Sequence, residues 1–259
     1  MEAFAPGSVT AVFAPAESGD ESRGASVAIE DGVVASVTDA DQTAVTLDGE
    51  ATAFEPVERL LDDLGVDARV DLTAELPVGC GFGASGAATL ATALAVDARV
   101  DLGATRDELV EASHRAEVAA GTGLGDVFIQ EAGGLVTSYG DGVRRYDRDD
   151  RVEYVSYGGI ATSDALGDPE LMADVERVGN AVLDDLPADP SLSHLTGRAW
   201  EFAREIGLPT DRVRDAVAEV EAAGGTASMA MLGETVFAVG VDGVLDERTR
   251  VASEGARLL

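Results

Sequence analysis

The sequence predicts an α+β fold, in which helices and strands occur in clusters rather than in strict alternation. Alternating apolar residues over Ala68–Leu76 indicate a half-buried strand, and apolar residues at helical spacing indicate a helix over Glu55–Leu64. In the second half, three helix-like segments follow one another before the next strand begins. With 259 residues the chain is long enough for one large domain or for two modest domains that share a core.

In chain order, the first predicted strands are Ser26–Glu30 and Val33–Thr38, and Asp31–Gly32 between them indicates a hairpin turn. The strand at 68–76 leads into a glycine-rich turn at Pro77–Gly83 and then into an alanine-rich helix over about Ala84–Val96. This order predicts a strand, a tight turn and a helix start in direct succession.

The next helix has the clearest start signal in the chain. Thr105 is predicted to cap it, Glu108 completes a capping box, and Gly121 ends it after Ala120. The later segments are predicted as strands near 134–139 and 152–157, helices near 168–186, 191–206 and 211–222, and strands at 226–232 and 235–239. A division into domains at residues 1–157 and 158–259 is expected.

The net charge is strongly negative, because 49 acidic residues outnumber 18 basic residues and give a formal charge of −31. Every basic residue is arginine, and the chain contains no lysine. We interpret the acidic excess as a solvated surface whose self-repulsion is screened by salt, which is typical of a halophile. The charge argues against nucleic-acid binding, which needs a basic surface. Without lysine, a P-loop site of the G-x-x-x-x-G-K-[ST] kind is excluded.

Membrane, secretion and zinc signals are absent from the sequence. No run of about 18 apolar residues predicts a transmembrane helix, and the N-terminus lacks the basic and apolar regions of a signal peptide. The single cysteine, Cys80, excludes an intrachain disulfide, and with two histidines it is too little for a zinc cluster. We therefore expect a cytoplasmic protein with no membrane partner.

The most informative segment is the glycine-rich turn with the start of the next helix, residues 76–88, LPVGCGFGASGAA. Glycines permit positive φ and allow a ligand to approach the backbone closely. The helix start offers unpaired N–H groups and the positive end of the helix dipole, which favour an anion. Ser85 lies in the first turn, where its hydroxyl can contact a phosphate or a bound Mg²⁺. These residues alone leave two interpretations open, a phosphate site or a tight structural turn.

This segment resembles the P-x-x-x-G-L-G-S-S-A-A signature of the GHMP kinases, which include galactokinase, homoserine kinase and mevalonate kinase. Five positions match it, namely Pro77, Gly81, Gly83, Ser85 and Ala87. Three positions differ, because Phe82, Ala84 and Gly86 replace Leu, Ser and Ala. The resemblance implies an ATP-dependent kinase of small molecules with the two-lobed GHMP kinase fold. Its N-terminal, ATP-binding half would be like domain 2 of ribosomal protein S5, and its C-terminal half would be ferredoxin-like.

The resemblance also implies the residues that bind the nucleotide. They are Pro77, Gly79, Cys80, Gly81, Phe82, Gly83, Ala84, Ser85, Gly86 and Ala87.

Two further segments resemble GHMP kinase motifs in the same order along the chain. Ala5–Thr10 is similar to the first motif, often A-P-G-K, with Ser8 in place of the lysine, and residues 223–229 are similar to the third, glycine-rich motif. The resemblance implies that Ser8 and Gly225 contact the substrate.

In GHMP kinases a helix glutamate binds Mg²⁺, and an aspartate on the next loop lies beside the acceptor hydroxyl. The resemblance assigns these positions to Glu117 and Asp126, with Ser85 as a second metal ligand and as a partner of Asp126 in catalysis. The loop Gly123–Asp126 is one residue shorter than the usual P-S-G-V-D. Mg²⁺ prefers oxygen ligands and often binds one or two carboxylates together with substrate phosphates, which agrees with this assignment.

Within the superfamily, Thr122–Val127 resembles the archaeal pantoate kinases most closely. The resemblance implies ATP and Mg²⁺ as cofactors, pantoate as the small-molecule substrate, and a homodimer. Arg23 and Gly24 are predicted to contact the substrate. Arg23 would either anchor the pantoate carboxylate, because arginine binds carboxylates with a planar two-pronged fork, or supply the phosphate-binding cation that the missing lysine cannot. Two alternatives stay open. They are another GHMP kinase acting on shikimate, homoserine or a mevalonate-type acceptor, and a non-catalytic metabolite-binding protein of the same fold.

Overall fold

Two sheets flanked by helices make up the part of the chain that the computed structural model describes, residues 1–15, 22–138, 142–159 and 168–259. The helices of these residues are α1 (Glu55–Leu64), α2 (Ala84–Val100), α3 (Arg106–Ala120), α4 (Asp126–Ala132), α5 (Pro169–Asp184), α6 (Leu192–Glu205) and α7 (Asp211–Ala222). The strands are β1 (Glu2–Pro15), β2 (Ser22–Asp39), β3 (Ala44–Leu47), β4 (Glu50–Ala51), β5 (Ala68–Ala74), β6 (Leu135–Ser138), β7 (Val143–Tyr146), β8 (Arg151–Gly159), β9 (Thr226–Met229), β10 (Gly233–Val239), β11 (Glu247–Arg250) and β12 (Arg257–Leu258).

The first sheet has the order β12-β1-β2-β5-β3-β4, and β6 pairs with both β2 and β7. The second sheet has the order β11-β8-β10-β9. The strand pairs are antiparallel except for β3 with β5. One mixed sheet and one antiparallel sheet, with helices that occur in clusters, confirm the predicted α+β class.

Helix α2 forms the centre of the first lobe. Its residues from Gly86 to Val96 are buried, and it packs against β1, β2 and α3. Alanines are the commonest residues of this stretch, so the helix can approach the sheet closely without displacing larger side chains. The N-terminal end of α2 is thereby fixed at the point where β1 and the glycine-rich turn meet.

The hairpin predicted at Asp31–Gly32 is wrong, because β2 runs without interruption through both residues. The pairing of β1 with β2 shifts register between Pro6 and Gly7, and this irregularity accommodates the Asp-Gly pair inside the strand. A Cβ at Gly32 would lie 2.2 Å from the carbonyl oxygen of Ala5, so glycine is needed here for close backbone approach.

The local signals placed most helices correctly. α1 and α7 have the predicted bounds, and α3 begins with the predicted capping box between Thr105 and Glu108. The structure adds elements that the sequence patterns did not predict, namely β1, β3, β4, β7, β11, β12 and the short helix α4.

The expected domain boundary at residue 157 falls inside β8. This strand pairs with β10 and β11, so it belongs to the second sheet along its whole length. The two lobes share one continuous hydrophobic core. The division at 157 and 158 stays a prediction, and the sheet pairing favours a division before Arg151.

None of the helices in the described residues combines the length and the apolar character needed to cross a lipid bilayer.

The acidic excess leads to a prediction about stability. With a formal charge of −31, the folded chain repels itself, and salt reduces the screening length from about 10 Å at 0.1 M to about 3 Å at 1 M. We expect the unfolding temperature to rise by roughly 10 °C or more between 0.1 M and 2 M KCl, as measured by circular dichroism. An equal osmolarity of sucrose is the control, and an equal rise with sucrose would show that charge screening is not the cause.

Candidate active site

A cavity of about 440 Å³ lies where β1, β2 and β6 meet the start of α2, the start of α4 and the turn between β9 and β10. Its wall combines glycines, hydroxyl groups, two acidic residues and a set of apolar side chains. The apolar members are Phe13, Ala84, Leu124, Phe128, Ile129, Val136, Val143, Met231 and Leu232, and the polar members that carry side chains are Thr10, Ser26, Ser85, Glu111, Thr122, Asp126 and Ser138.

The glycine-rich turn, residues 77–83, forms one side of this cavity and follows a backbone path that suits glycine. Gly79, Gly81 and Gly83 have φ values of 76°, 88° and 60°, which residues other than glycine rarely adopt. Their backbone therefore faces the cavity without any intervening side chain. This is the geometry that lets main-chain N–H groups approach an anion.

Both lobes hold the turn in place. The backbone N–H of Ser8 donates to the carbonyl oxygen of Phe82 at 2.9 Å, and the Thr235 hydroxyl donates to that of Cys80 at 2.7 Å. A Cβ at Gly159 would lie 2.0 Å from the carbonyl oxygen of Gly79, so β8 also passes close to the turn. The turn is thus fixed before any ligand arrives.

Helix α2 begins at the end of the turn without a side-chain cap. Gly83 occupies the N-cap position, and no side chain accepts a hydrogen bond from the first N–H groups of the helix. Those N–H groups and the positive end of the helix dipole lie beside Ser85, which lines the cavity.

Glu117 is buried, with 3% of its surface exposed, and three hydroxyl groups surround its carboxylate. Ser85 and Thr89 each donate to Oε1 at 2.8 Å, and Thr122 donates to Oε2 at 2.8 Å. Burial raises the pKa of Glu117, the three hydrogen bonds oppose that rise, and the nearby charge of Asp126 adds to it. A buried carboxylate of this kind gains stability when a cation binds beside it.

Asp126 is half-buried at the first position of α4, where it lines the cavity. Its Oδ1 accepts hydrogen bonds from Ser8 at 3.0 Å and from Thr10 at 3.3 Å. Burial raises the pKa of Asp126, and these two hydrogen bonds lower it.

Gly123 lies next to the carboxylates of both Glu117 and Asp126. A Cβ at this position would lie 3.3 Å from Oε2 of Glu117 and 3.4 Å from Oδ2 of Asp126. Both of these oxygens therefore face the same small space. One carboxylate can hold a metal-bound phosphate while the other meets a hydroxyl of the acceptor.

The donor set around Glu117 fits Mg²⁺, because it offers a carboxylate and hydroxyl oxygens next to the end of the glycine-rich turn. In the described ranges, no group of three or more His, Cys, Asp or Glu residues could form a complete metal site. A bound Mg²⁺ would thus depend on Glu117, Ser85, water and the phosphates of the nucleotide, which is its usual arrangement in kinases.

The structure brings part of the predicted nucleotide-binding segment to the cavity. Gly79, Gly81, Gly83, Ala84 and Ser85 line it. The other predicted residues of the segment, Pro77, Cys80, Phe82, Gly86 and Ala87, are not part of the lining. Phe82 is 1% exposed, and its ring packs against that of Tyr154. Cys80 contributes its carbonyl oxygen, which accepts the hydrogen bond from Thr235.

Of the four residues predicted to contact the substrate, Gly24 lines the cavity, and Arg23, Gly225 and Ser8 are outside its lining. The guanidinium of Arg23 donates to Asn180 at 2.7 Å and to Asp184 at 2.9 Å, so it is directed to α5. Gly225 packs in the turn between α7 and β9, where a Cβ would lie 2.4 Å from Val241. Ser8 is 1% exposed and lies behind Asp126 rather than in the lining.

Sequence reasoning missed several residues of the site. Thr89 lies one helical turn after Ser85, and Thr10 lies two residues after Ser8 on the same strand, so their spacing was a usable signal. Gln130 has the same spacing from Asp126, but its contact with Gly83 spans 47 positions. Met231 and Leu232 have no such signal, because tertiary contacts alone bring them to the cavity. 

His114 lies on α3 near the site but packs within the protein. It is 9% exposed, and its ring lies 4.9 Å from that of Phe128. The structure therefore gives this histidine a packing contact rather than a place in the cavity lining.

Comparison with known proteins agrees with this geometry. The family "GHMP kinases N terminal domain" matches residues 51–134, which include the glycine-rich turn, α2, Glu117 and Asp126. A pantoate kinase from Methanospirillum hungatei is 31% identical over 258 residues, covering 93% of this chain and 87% of the relative. The chain belongs to the pantoate kinase family of GHMP kinases. It is thus a phosphotransferase with an alcohol group as acceptor and a small molecule as substrate.

Two further proteins are similar to this chain over nearly its whole length. A pantoate kinase from Methanocaldococcus jannaschii is 25% identical over 259 residues, covering 94% of each chain. A solved structure described as a phosphotransferase related to the CoA biosynthesis pathway superposes with a TM-score of 0.85 at 26% identity, covering 99% of this chain and 97% of the other. The predicted two-lobed GHMP kinase fold is therefore confirmed.

Proposed function

We propose that this GHMP kinase transfers the γ-phosphoryl group of ATP to the 4-hydroxyl of pantoate, a step of archaeal coenzyme A biosynthesis. The observation that carries the proposal is that carboxylate oxygens of Glu117 and Asp126 both lie next to Gly123, with Glu117 bonded to Ser85 at the end of the glycine-rich turn. The names of the two curated relatives and of the superposed structure support pantoate as the acceptor.

The nucleotide phosphates would lie along the glycine-rich turn and the start of α2. The chain has no lysine, and the described lining residues include no arginine, so backbone N–H groups and the helix dipole supply the protein's share of positive potential. Mg²⁺, held by Glu117 and Ser85, would neutralise phosphate charge when bound. Ser85 lies in the first turn of the helix and donates its hydroxyl proton to Glu117, so its oxygen is left to bind the metal.

The acceptor would occupy the apolar part of the cavity. Pantoate is a dihydroxy acid with two methyl groups on its central carbon, and the side chains of Phe13, Ile129 and Val136 offer a matching apolar wall. Ser138 lines the same cavity, and its hydroxyl can donate to the carboxylate or to the 2-hydroxyl. The Ser26 hydroxyl donates to Thr10, so its oxygen is left to accept from the 2-hydroxyl.

In the transfer step, the oxygen of the 4-hydroxyl forms a bond to the γ-phosphorus as the bond to the bridging oxygen of ADP breaks. The hydroxyl proton passes to Asp126, and then to solvent after product release. Phosphoryl transfer depends chiefly on positioning and charge stabilisation, so a carboxylate is a sufficient base. The products are ADP and 4-phosphopantoate.

A panel of acceptors tests this proposal. The purified chain is assayed with ATP and Mg²⁺ in 2 M KCl against pantoate, shikimate, homoserine and mevalonate. The matched control acceptor is 2,4-dihydroxybutanoate, which keeps the hydroxyls and the carboxylate of pantoate but lacks both methyl groups. We expect pantoate to have the highest kcat/KM, and the control acceptor to be about 10-fold to 100-fold poorer, because each methyl group fills apolar space.

The other outcomes correspond to the alternatives. A clear preference for shikimate, homoserine or mevalonate would contradict the proposal and favour another GHMP kinase activity. Absence of ATP turnover with every acceptor would favour a non-catalytic binding protein. The cytoplasmic location, the halophilic setting and the homodimer expected from the sequence stay predictions.

A further inference from the structure

Gln130 is a fully buried amide on α4, one helical turn after Asp126. Its side-chain Nε2 donates to the carbonyl oxygen of Gly83 at 2.7 Å and to the hydroxyl oxygen of Ser8 at 3.4 Å. Gln130 thus touches both the start of α2 and the strand residue that contacts Asp126. The GHMP signature, which covers residues 77–87 here, does not include this residue.

The two donations of Gln130 determine which way the hydroxyl of Ser8 points. The Gly83 carbonyl oxygen can only accept, so the amide must present its NH₂ group and not its oxygen on this side. The Ser8 oxygen then accepts from Gln130, and its single proton remains available for Oδ1 of Asp126 at 3.0 Å. The hydroxyl is thereby fixed as a donor to the carboxylate.

A second chain of hydroxyl groups ends on the same oxygen. Ser26 donates to Thr10 at 3.2 Å, and Thr10 donates to Oδ1 of Asp126 at 3.3 Å. Both chains engage Oδ1, whereas Oδ2 faces the space beside Gly123 where the acceptor would bind. The carboxylate is therefore held in one orientation, with one oxygen bonded and the other presented to the cavity.

Gly86 provides the room that Gln130 occupies. A Cβ at this helix position would lie 2.8 Å from Oε1 of Gln130, and Oε1 has no hydrogen-bond partner within the described residues. The alanine of the GHMP signature at this position would displace the amide. Glycine at position 86, where the signature has alanine, is therefore what allows the buried side chain of Gln130 to fit.

We propose that Gln130 is a positioning residue for the phosphoryl transfer, which acts through Ser8 to hold Asp126 with Oδ2 toward the acceptor. This inference rests on the proposed function, because it assigns to Asp126 the task of meeting the acceptor hydroxyl. It adds a residue that touches neither substrate. It also links the nucleotide turn to the base, since the Gly83 carbonyl at the N-cap of α2 is the same group that orients the amide.

A double-mutant cycle tests the proposal. The variants Gln130→Met and Ser8→Ala are measured singly and together, with the acceptor that the panel identifies. We expect Gln130→Met to lower kcat by about 10-fold to 100-fold with KM for ATP nearly unchanged, because loss of orientation affects the reacting geometry. Once Ser8 is alanine, the same glutamine change should add less than about 3-fold, because both act on one carboxylate. Full additivity, or an unchanged kcat in Gln130→Met, would overturn the proposal.

Two further measurements keep the result interpretable. Thr196→Val removes a buried hydroxyl of α6 that bonds the Leu192 carbonyl, and it should leave kcat unchanged. Should Gln130→Met fail to fold, Gly86→Ala displaces the amide instead, and it should lower kcat to a similar extent.

A crystal structure of the folded variant separates this proposal from the proposed function. We expect the contact between Ser8 and Oδ1 of Asp126 to be lost or the carboxylate to be rotated. An unchanged carboxylate would overturn the positioning role even if no acceptor were turned over. If the unmodified chain phosphorylated no acceptor but the carboxylate of Asp126 were rotated in the variant, only the proposed function would be refuted.

Discussion

Replacing Asp126 by asparagine is expected to lower kcat by about 10²-fold to 10⁴-fold, the range for loss of a positioned general base. The change keeps the size of the side chain. Its oxygen can still accept from Ser8 and Thr10, which leaves the NH₂ group at the position of Oδ2. That group cannot take a proton, and it presents hydrogens to the acceptor hydroxyl. Steady-state assays with pantoate and ATP in 2 M KCl measure the effect.

The matched control for this variant is Asp107→Asn. Asp107 also lies in the first turn of a helix, but it is exposed on α3 and does not line the cavity. We expect this control to retain the activity of the unmodified chain. An Asp126→Asn variant with more than about a tenth of normal kcat would show that Asp126 is not the base.

Replacing Glu117 by glutamine is expected to have the second largest effect. We expect kcat/KM for ATP to fall by at least about 100-fold at fixed Mg²⁺, since even outer partners of a metal are often worth 10-fold to 100-fold. Higher Mg²⁺ should restore part of the activity, because the loss lies in metal binding. Titrating Mg²⁺ against the initial rate measures this, and Glu176→Gln on the exposed face of α5 is the control.

The same variant should be more stable than the unmodified chain when metal is absent. Burial raises the pKa of Glu117, so the unfolded chain loses this proton at lower pH than the folded chain. Stability therefore falls as pH rises from the ordinary carboxyl range through the raised pKa, and above it the cost is fully present. Glutamine removes this cost, so the metal-free variant should unfold a few degrees higher at pH 8 and show no advantage near pH 4. Equal unfolding temperatures at pH 8 would contradict the burial cost assigned to Glu117.

Local chemistry explains which parts of the fold could be predicted. The capping box of Thr105 and Glu108, and the glycine that ends α3, are signals contained within a few residues. The glycine-rich turn was found for the same reason, because its conformation depends on its own glycines. In contrast, β1 is buried along nearly its whole length, so it lacks the polar alternation that identifies a half-exposed strand.

The contacts of the site that were not predicted join distant parts of the chain. Ser8 and Asp126 are 118 positions apart, and Gln130 reaches Gly83 over 47 positions. Arg23 was assigned to the substrate from its neighbours in sequence, but its partners on α5 lie more than 150 positions away. Sequence spacing cannot reveal such contacts, whereas it did reveal the serine, the glutamate and the aspartate that the family motif contains.

The most direct measurement is a crystal structure of the chain with a non-hydrolysable ATP analogue, Mg²⁺ and pantoate. We expect the triphosphate along residues 79–85, the metal on Glu117 and Ser85, and the 4-hydroxyl within hydrogen-bond distance of Oδ2 of Asp126. A triphosphate bound elsewhere, or a pantoate hydroxyl that faces away from Asp126, would contradict it.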